Sequence, residues 1–178
     1  MDPGLDANGK TNKERTVKKG LLSLLASRRF GPFFFTQFLG AFNDNVFRQA
    51  LILLIASGAV TAVSVNTLNN VALALFILPF FLFSALAGQV ADKYDKASLV
   101  RKIKFVEVCI MSAAAVGFFF DAVYFLLGVL FCMGLQSTFF GPIKYSIIPQ
   151  QLDDKELVSG NALVERGTFL AILLGSIS

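Results

Sequence analysis

Polar and apolar residues fall in long blocks along this chain. A polar stretch over residues 1–20, rich in Gly, Asn and Lys, precedes five apolar segments at roughly 31–58, 71–91, 102–120, 123–142 and 158–178. Each is close to the ~20 residues a helix needs to cross the hydrocarbon core of a bilayer. The pattern predicts an all-α polytopic membrane protein with about five transmembrane helices. Leu21 to Leu25, followed by Ser27, Arg28 and Arg29, predicts a short interfacial helix. Residues 1–30 are thus expected to be a polar tail, and residues 31–178 a transmembrane domain. No secretory signal is apparent, because about twenty hydrophilic residues come first.

The first span breaks its own pattern. Asn43, Asp44, Asn45 and Arg48 sit at its centre. An Asp or Arg there costs about 2.5–3.5 kcal/mol on insertion scales, so such residues point to a polar path or a polar ligand. At 100° per residue, Gln37, Ala41, Asp44, Arg48 and Leu51 share one stripe. Asp44 and Arg48 are also spaced i, i+4, so a plain structural ion pair is the competing reading.

Later spans carry fewer polar residues. Ser137, Gly141 and Lys144 share a face of the fourth, where Gly141-Pro142 is expected to loosen the helix. Lys144 either faces a cavity or snorkels to the cytoplasmic headgroups. In the fifth, Asn161, Glu165, Thr168 and Gly175 line one side, and Glu165 either joins the same cavity or pairs with Arg166 or a loop lysine. Glu107 lies one turn from Lys104, which reads as a local i, i+3 pair. Pro79 interrupts the second span, where neighbouring helices can satisfy the freed carbonyl. The turn Phe120-Asp121-Ala122 is short enough to make the third and fourth spans a tight antiparallel pair.

Charge gives an orientation. Lys10, Lys13, Arg15, Lys18, Lys19, Arg28 and Arg29 precede the first span, and Lys93, Lys96, Arg101, Lys102 and Lys104 follow the second. The connections at 59–70 and near 121 carry no Lys or Arg. By the positive-inside rule the N-terminus is cytoplasmic and those two loops face out. The fifth span then ends outside with no polar flank, which suggests a piece of a longer membrane domain.

Composition narrows the function classes. Hydrophobic residues make up 55%, charged residues 16%, and the mean hydropathy is +0.67. A soluble domain would carry about 25% charged residues. There is no His, which removes the commonest general base and metal ligand, so no catalytic residue, metal site or cofactor is expected. Cys109 and Cys132 have no CxxC spacing and read as buried free thiols. The net charge of +4 follows topology and does not imply nucleic acid.

The loop after the second span is the most specific motif: Gly88-Gln89-Val90-Ala91-Asp92-Lys93-Tyr94-Asp95-Lys96, with Arg101-Lys102 shortly after. It resembles the signature between the second and third helices of the major facilitator superfamily, with Asp95 where that pattern usually has Gly. Physically, Gly88 lets two helices approach closely, and Asp92 caps a helix or pairs with a cation. Gln37 to Asn45, Phe140 to Ser146 and Gly160 to Glu165 narrow the resemblance to the lysophospholipid transporter branch of that superfamily. Some members of that branch are fused to an acyltransferase and an acyl-carrier-protein synthetase.

The resemblance covers roughly residues 30–178. It implies a partial N-terminal lobe of a bacterial inner-membrane transporter, with a C-terminal lobe of the same protein as partner. The implied activity moves lysophospholipids, chiefly lysophosphatidylethanolamine, from the outer to the inner leaflet by alternating access. Asn43, Asp44, Arg48, Lys144 and Glu165 are the candidate substrate residues: an acid for the ammonium, a cation for the phosphate. Gly88, Asp92, Lys93, Lys96 and Arg101 form the candidate gating loop. Phe33–Phe35, Phe118–Phe120, Phe139 and Phe140 offer aromatic surface for an acyl tail. Competing readings are a general small-solute carrier and a membrane anchor for a fused acyltransferase.

Overall fold

The computed structural model describes residues 24–60, 63–152 and 154–177. The expected tail over residues 1–20 and the first half of the interfacial helix lie outside them. Five long helices follow one another: α1 (Gly31–Ala56), α2 (Val65–Lys93), α3 (Lys96–Phe119), α4 (Val123–Gln151) and α5 (Asp154–Ile177). Among the described residues there is no strand. The protein is an all-α membrane protein.

Local chemistry sets the helix ends. Ser27 Oγ accepts from the Phe30 amide at 3.1 Å, just before α1 opens with a proline in its first turn. Ser64 caps α2 by accepting from the Thr67 amide at 3.2 Å. Asp95 caps α3, its Oδ2 accepting from the Ser98 amide at 2.8 Å. The expected cap, Asp92, is instead an exposed residue in the last turn of α2. The departure from Gly at position 95 therefore has a local reason: a carboxylate there satisfies an orphan amide that glycine would leave to solvent. The α3–α4 turn is as short as expected and places Asp121 at φ 49°.

Among the described residues three helices, Val65–Lys93, Val123–Pro149 and Glu156–Ile177, are long and apolar enough to cross a membrane by length and composition. The sequence pattern suggested five. α1 and α3 are of similar length, but Asn43 to Asn45 and Arg48 dilute the first, and Lys96, Arg101, Lys102, Lys104 and Glu107 the second. Those side chains turn inward or sit at the ends, as the site below shows.

Two helix pairs organise the bundle. α2 lies against α4 where Gly134 meets the Phe76 carbonyl, leaving no room for a Cβ. α1 lies against α5 where a Cβ at Gly175 would stand 2.7 Å from the Phe42 carbonyl oxygen. In each pair a glycine on one helix meets backbone on the other, the close approach by which helices gain dispersion contacts in lipid. α3 packs on α4 as well, so α4 is the central helix. It runs unbroken through Pro142 and Pro149, so Gly141-Pro142 does not interrupt it. At Gly88, by contrast, an added Cβ meets no atom within 4 Å among the described residues, so no close helix approach is seen there within this chain.

Apolar layers close both ends. At one end Phe47, Leu51, Ile55, Leu68, Leu126 and Leu130 form a continuous cluster. At the other, Phe30, Ile148, Leu152 and Val164 form a second, and Ile103, Phe140, Ile143 and Ile147 a third. Leu24, in a helical turn over 24–26, is buried in the second cluster. Cys109 and Cys132 are free and exposed, not buried as composition suggested. The outward faces carry apolar side chains such as Phe81, Phe105 and Phe169, as expected of helices solvated by lipid tails.

Candidate functional site

Between the apolar layers lies a cavity of about 400 Å³. α1 contributes Gln37, Ala41, Asp44 and Arg48, the stripe read from the sequence, together with Gly40 and Asn45. Leu51, the last member of that stripe, is buried in the apolar layer beyond. α4 supplies Gln136, Ser137, Phe140 and Lys144, and α5 supplies Thr168 and Ile172. Phe76 and Phe80 come from α2, and Lys104 and Glu107 from α3.

Asp44 and Arg48 do not pair with each other. Asp44 Oδ2 accepts from Ser137 Oγ at 3.0 Å, across the cavity on α4. Arg48 Nη2 donates to Asn45 Oδ1 at 2.7 Å, and Asn45 Nδ2 donates to the Ala41 carbonyl at 2.7 Å. Ion pairs do form between Lys104 and Glu107 and between Lys144 and Glu165. A separated acid and cation on one helix face present opposite charges to the same space.

Lys144 lines the cavity from α4. Its Nζ lies 3.3 Å from Glu165 Oε1 and 5.2 Å from the centre of the Tyr145 ring. Tyr145 also donates to Glu165 Oε1 at 3.2 Å. The Lys144 side chain is 9% exposed and that of Glu165 59%, so the pair joins a buried cation on α4 to an open acid on α5. Arg166 is exposed beside it.

The i, i+3 pair read between Lys104 and Glu107 forms at 2.6 Å, but it is more than local. Gln136 Nε2 donates to the same Glu107 oxygen at 2.9 Å, and Lys104 Nζ reaches the Thr36 carbonyl at 3.4 Å. Lys104 also sits 4.8 Å from the centre of the Phe140 ring. Gly40 makes room for it, since a Cβ there would stand 2.7 Å from Nζ. Ser137 Oγ lies 3.3 Å from Gln136 Oε1, so polar contacts run from α3 through α4 to Asp44 on α1.

Other expected residues go elsewhere. Asn43 lines a neighbouring cleft of about 810 Å³ between α1 and α3, which shares Gly40, Lys104 and Glu107 with the cavity and also takes in Arg101. Phe118 packs edge-on against Phe47 in the apolar layer, while Phe119 and Phe120 are exposed at the turn. Of the phenylalanines proposed for an acyl tail, Phe140 lines the cavity, and Phe33 and Phe34 pack on the apolar cluster around Phe30. Phe76 and Phe80, not singled out by sequence, supply the remaining aromatic wall. Lys93 and Asp92 are exposed at the α2–α3 connection, away from the cavity. Among the described residues no group of three His, Cys, Asp or Glu side chains could hold a metal ion.

The bundle thus encloses a cavity lined by charged, polar and aromatic side chains. The chain is similar to curated proteins named as lysophospholipid transporters. It is 30% identical to lysophospholipid transporter LplT of Citrobacter koseri over 160 residues, which is 90% of this chain and 35% of that protein. It is 31% identical to the Escherichia fergusonii protein of the same name, and 30% to that of an Enterobacter species. Each of those matches covers 142 residues, 80% of this chain and 33% of the relative. The chain thus spans about a third of the length of the curated relatives it matches. No family model and no solved structure matches it.

Proposed function

We propose that this chain is part of a transporter that moves lysophospholipids from the outer to the inner leaflet of a bacterial inner membrane. One observation carries the reading: Asp44 and Arg48 open onto one cavity with aromatic walls, each held by a neutral partner and not by the other. A zwitterionic amphiphile needs an acid for its ammonium, a cation for its phosphate and apolar surface for its tail. The name of the relatives points to the same substrate class.

The proposed topology places residues 1–30 in the cytoplasm and residues 31–178 in the membrane, because the basic residues flank one end of the bundle. The cavity lies at mid-depth, where a second lobe of the same protein would close it and rocking would alternate its access. In that arrangement Asp92, Lys93, Lys96 and Arg101 are positioned to meet the second lobe. The proposed partners are membrane lipid and the lysophospholipid itself, with a fused or associated acyltransferase to consume the delivered product.

The cavity size favours one second reading. A volume of about 400 Å³ holds a headgroup but not a long acyl chain, so a small-solute carrier is the alternative. Competition separates the two. Unlabelled lysophosphatidylethanolamine is expected to suppress uptake of its labelled form, while small amphiphilic cations without a phosphate are not. The opposite order would favour the small-solute carrier.

A further inference from the structure

Two cations line the central cavity besides Lys104, and they stand in different electrostatic states. Lys144 already has a carboxylate, Glu165 Oε1 at 3.3 Å, and lies beside the Tyr145 ring. Arg48 bonds to a neutral amide, and among the described residues it forms no ion pair. A guanidinium carries five N–H donors, so one bond to Asn45 leaves donors for a further acceptor. A cation held in a membrane interior without a counter-ion is costly, and an arriving anion removes that cost.

The structure also shows what fixes the guanidinium. Asn45 is buried, with Nδ2 tied to the Ala41 carbonyl at 2.7 Å and Oδ1 given to Arg48. α5 backs it: a Cβ at Gly175 would stand 2.8 Å from the Asn45 Cβ. The amide therefore has little freedom, and neither has the arginine head it holds. Packing of α1 on α5 sets where the positive charge sits.

We propose that Arg48, oriented by Asn45, is the anion-binding group of this cavity, and that Lys144 is not. The inference rests on the lipid reading above, because the phosphate of a lysophospholipid is the anion it would take. Arg48 touches the ligand, and Asn45 is a positioning residue. Asn45→Asp is the informative change, since it places a carboxylate on the guanidinium and neutralises it locally.

The test is equilibrium binding by the purified intact protein of two labelled amphiphiles of equal chain length. One is lysophosphatidylethanolamine and the other a phosphate-free primary amine. The wild type is expected to prefer the phosphate-bearing probe by about tenfold or more, the scale of a charge-assisted contact. Arg48→Gln and Asn45→Asp should erase that preference, and Asn45→Ala should reduce it. Should Arg48→Gln fail to accumulate, Arg48→Lys, which keeps the charge but not the fork, should show a partial loss. The Lys144→Gln, Glu165→Gln double variant should keep the preference whatever its overall affinity. An undiminished preference in Asn45→Asp, or its loss in the double variant, would overturn the inference while leaving the lipid reading in place. A wild type that binds neither probe would overturn both.

Discussion

Opposite charges at and beside the cavity are held by the helices in different ways. On α1, Asp44 and Arg48 lie one turn apart, each bonded to a neutral side chain, Ser137 and Asn45. Between α4 and α5, Lys144 and Glu165 bond to each other. Charges satisfied by neutral groups keep their net charge toward the cavity, whereas charges satisfied by each other are already compensated. In the proposed function the first set receives the charged ligand, while the second joins two helices.

Removing one charge of the first set breaks the comparison most severely. Asp44→Asn keeps the hydrogen bond with Ser137 within reach and is expected to leave insertion and folding intact while substrate movement falls to background. Delivery of a labelled lysophospholipid to the inner leaflet, at matched protein levels, measures it. Normal delivery by the variant would place Asp44 outside the path.

The Lys104–Glu107–Gln136 contacts resemble the closed set in chemistry but reach toward Asp44. Glu107→Ala leaves Lys104 without its acid and the Gln136 amide without its acceptor. The expected loss is about 1–3 kcal/mol of stability, the penalty for unsatisfied buried polar groups. Thermal unfolding in detergent checks it, and an unchanged midpoint would mean the contacts are dispensable.

The closed set sharpens the comparison through a double-mutant cycle. Glu165→Gln should destabilise by about 1–2 kcal/mol, discounted because the acid is more than half exposed. Adding Lys144→Met should recover part of that loss, because the buried charge is gone. Additive losses in the cycle would show that the two side chains are not coupled.

The smallest effects belong to the α2–α3 connection, which touches neither set. Asp95→Ala should cost about 0.5–2 kcal/mol through loss of the α3 cap. Gly88→Ala should be neutral or slightly stabilising in the isolated chain, since nothing lies near its Cβ position. A Gly88→Ala protein that folds normally yet stops transporting would point to a contact made outside this chain.

Much of this was legible in the sequence because hydropathy and helical period are local properties. The five apolar blocks map onto five helices, and the stripe from Gln37 to Arg48 lines the cavity as its 3.6-residue period implied. Contacts between helices were not legible. Glu107 looked like half of a local pair because its second partner, Gln136, lies on another helix. Lys144 near a helix end reads equally as snorkelling until α5 brings Glu165 to it. Asn43 adjoins Asp44 in sequence, yet a 100° step turns it toward a different cleft. Phe76 and Phe80 were hidden among many similar phenylalanines, since an apolar side chain gives no sign of which face it will line.

The measurement that tests the central claim most directly is the rate at which labelled lysophosphatidylethanolamine reaches the inner leaflet of spheroplasts. The host would lack its own activity and express the intact reading frame, wild type beside Asp44→Asn. The account predicts uptake in the wild type and none in the variant at equal expression. Absence of uptake in the wild type, or equal uptake in both, would contradict it.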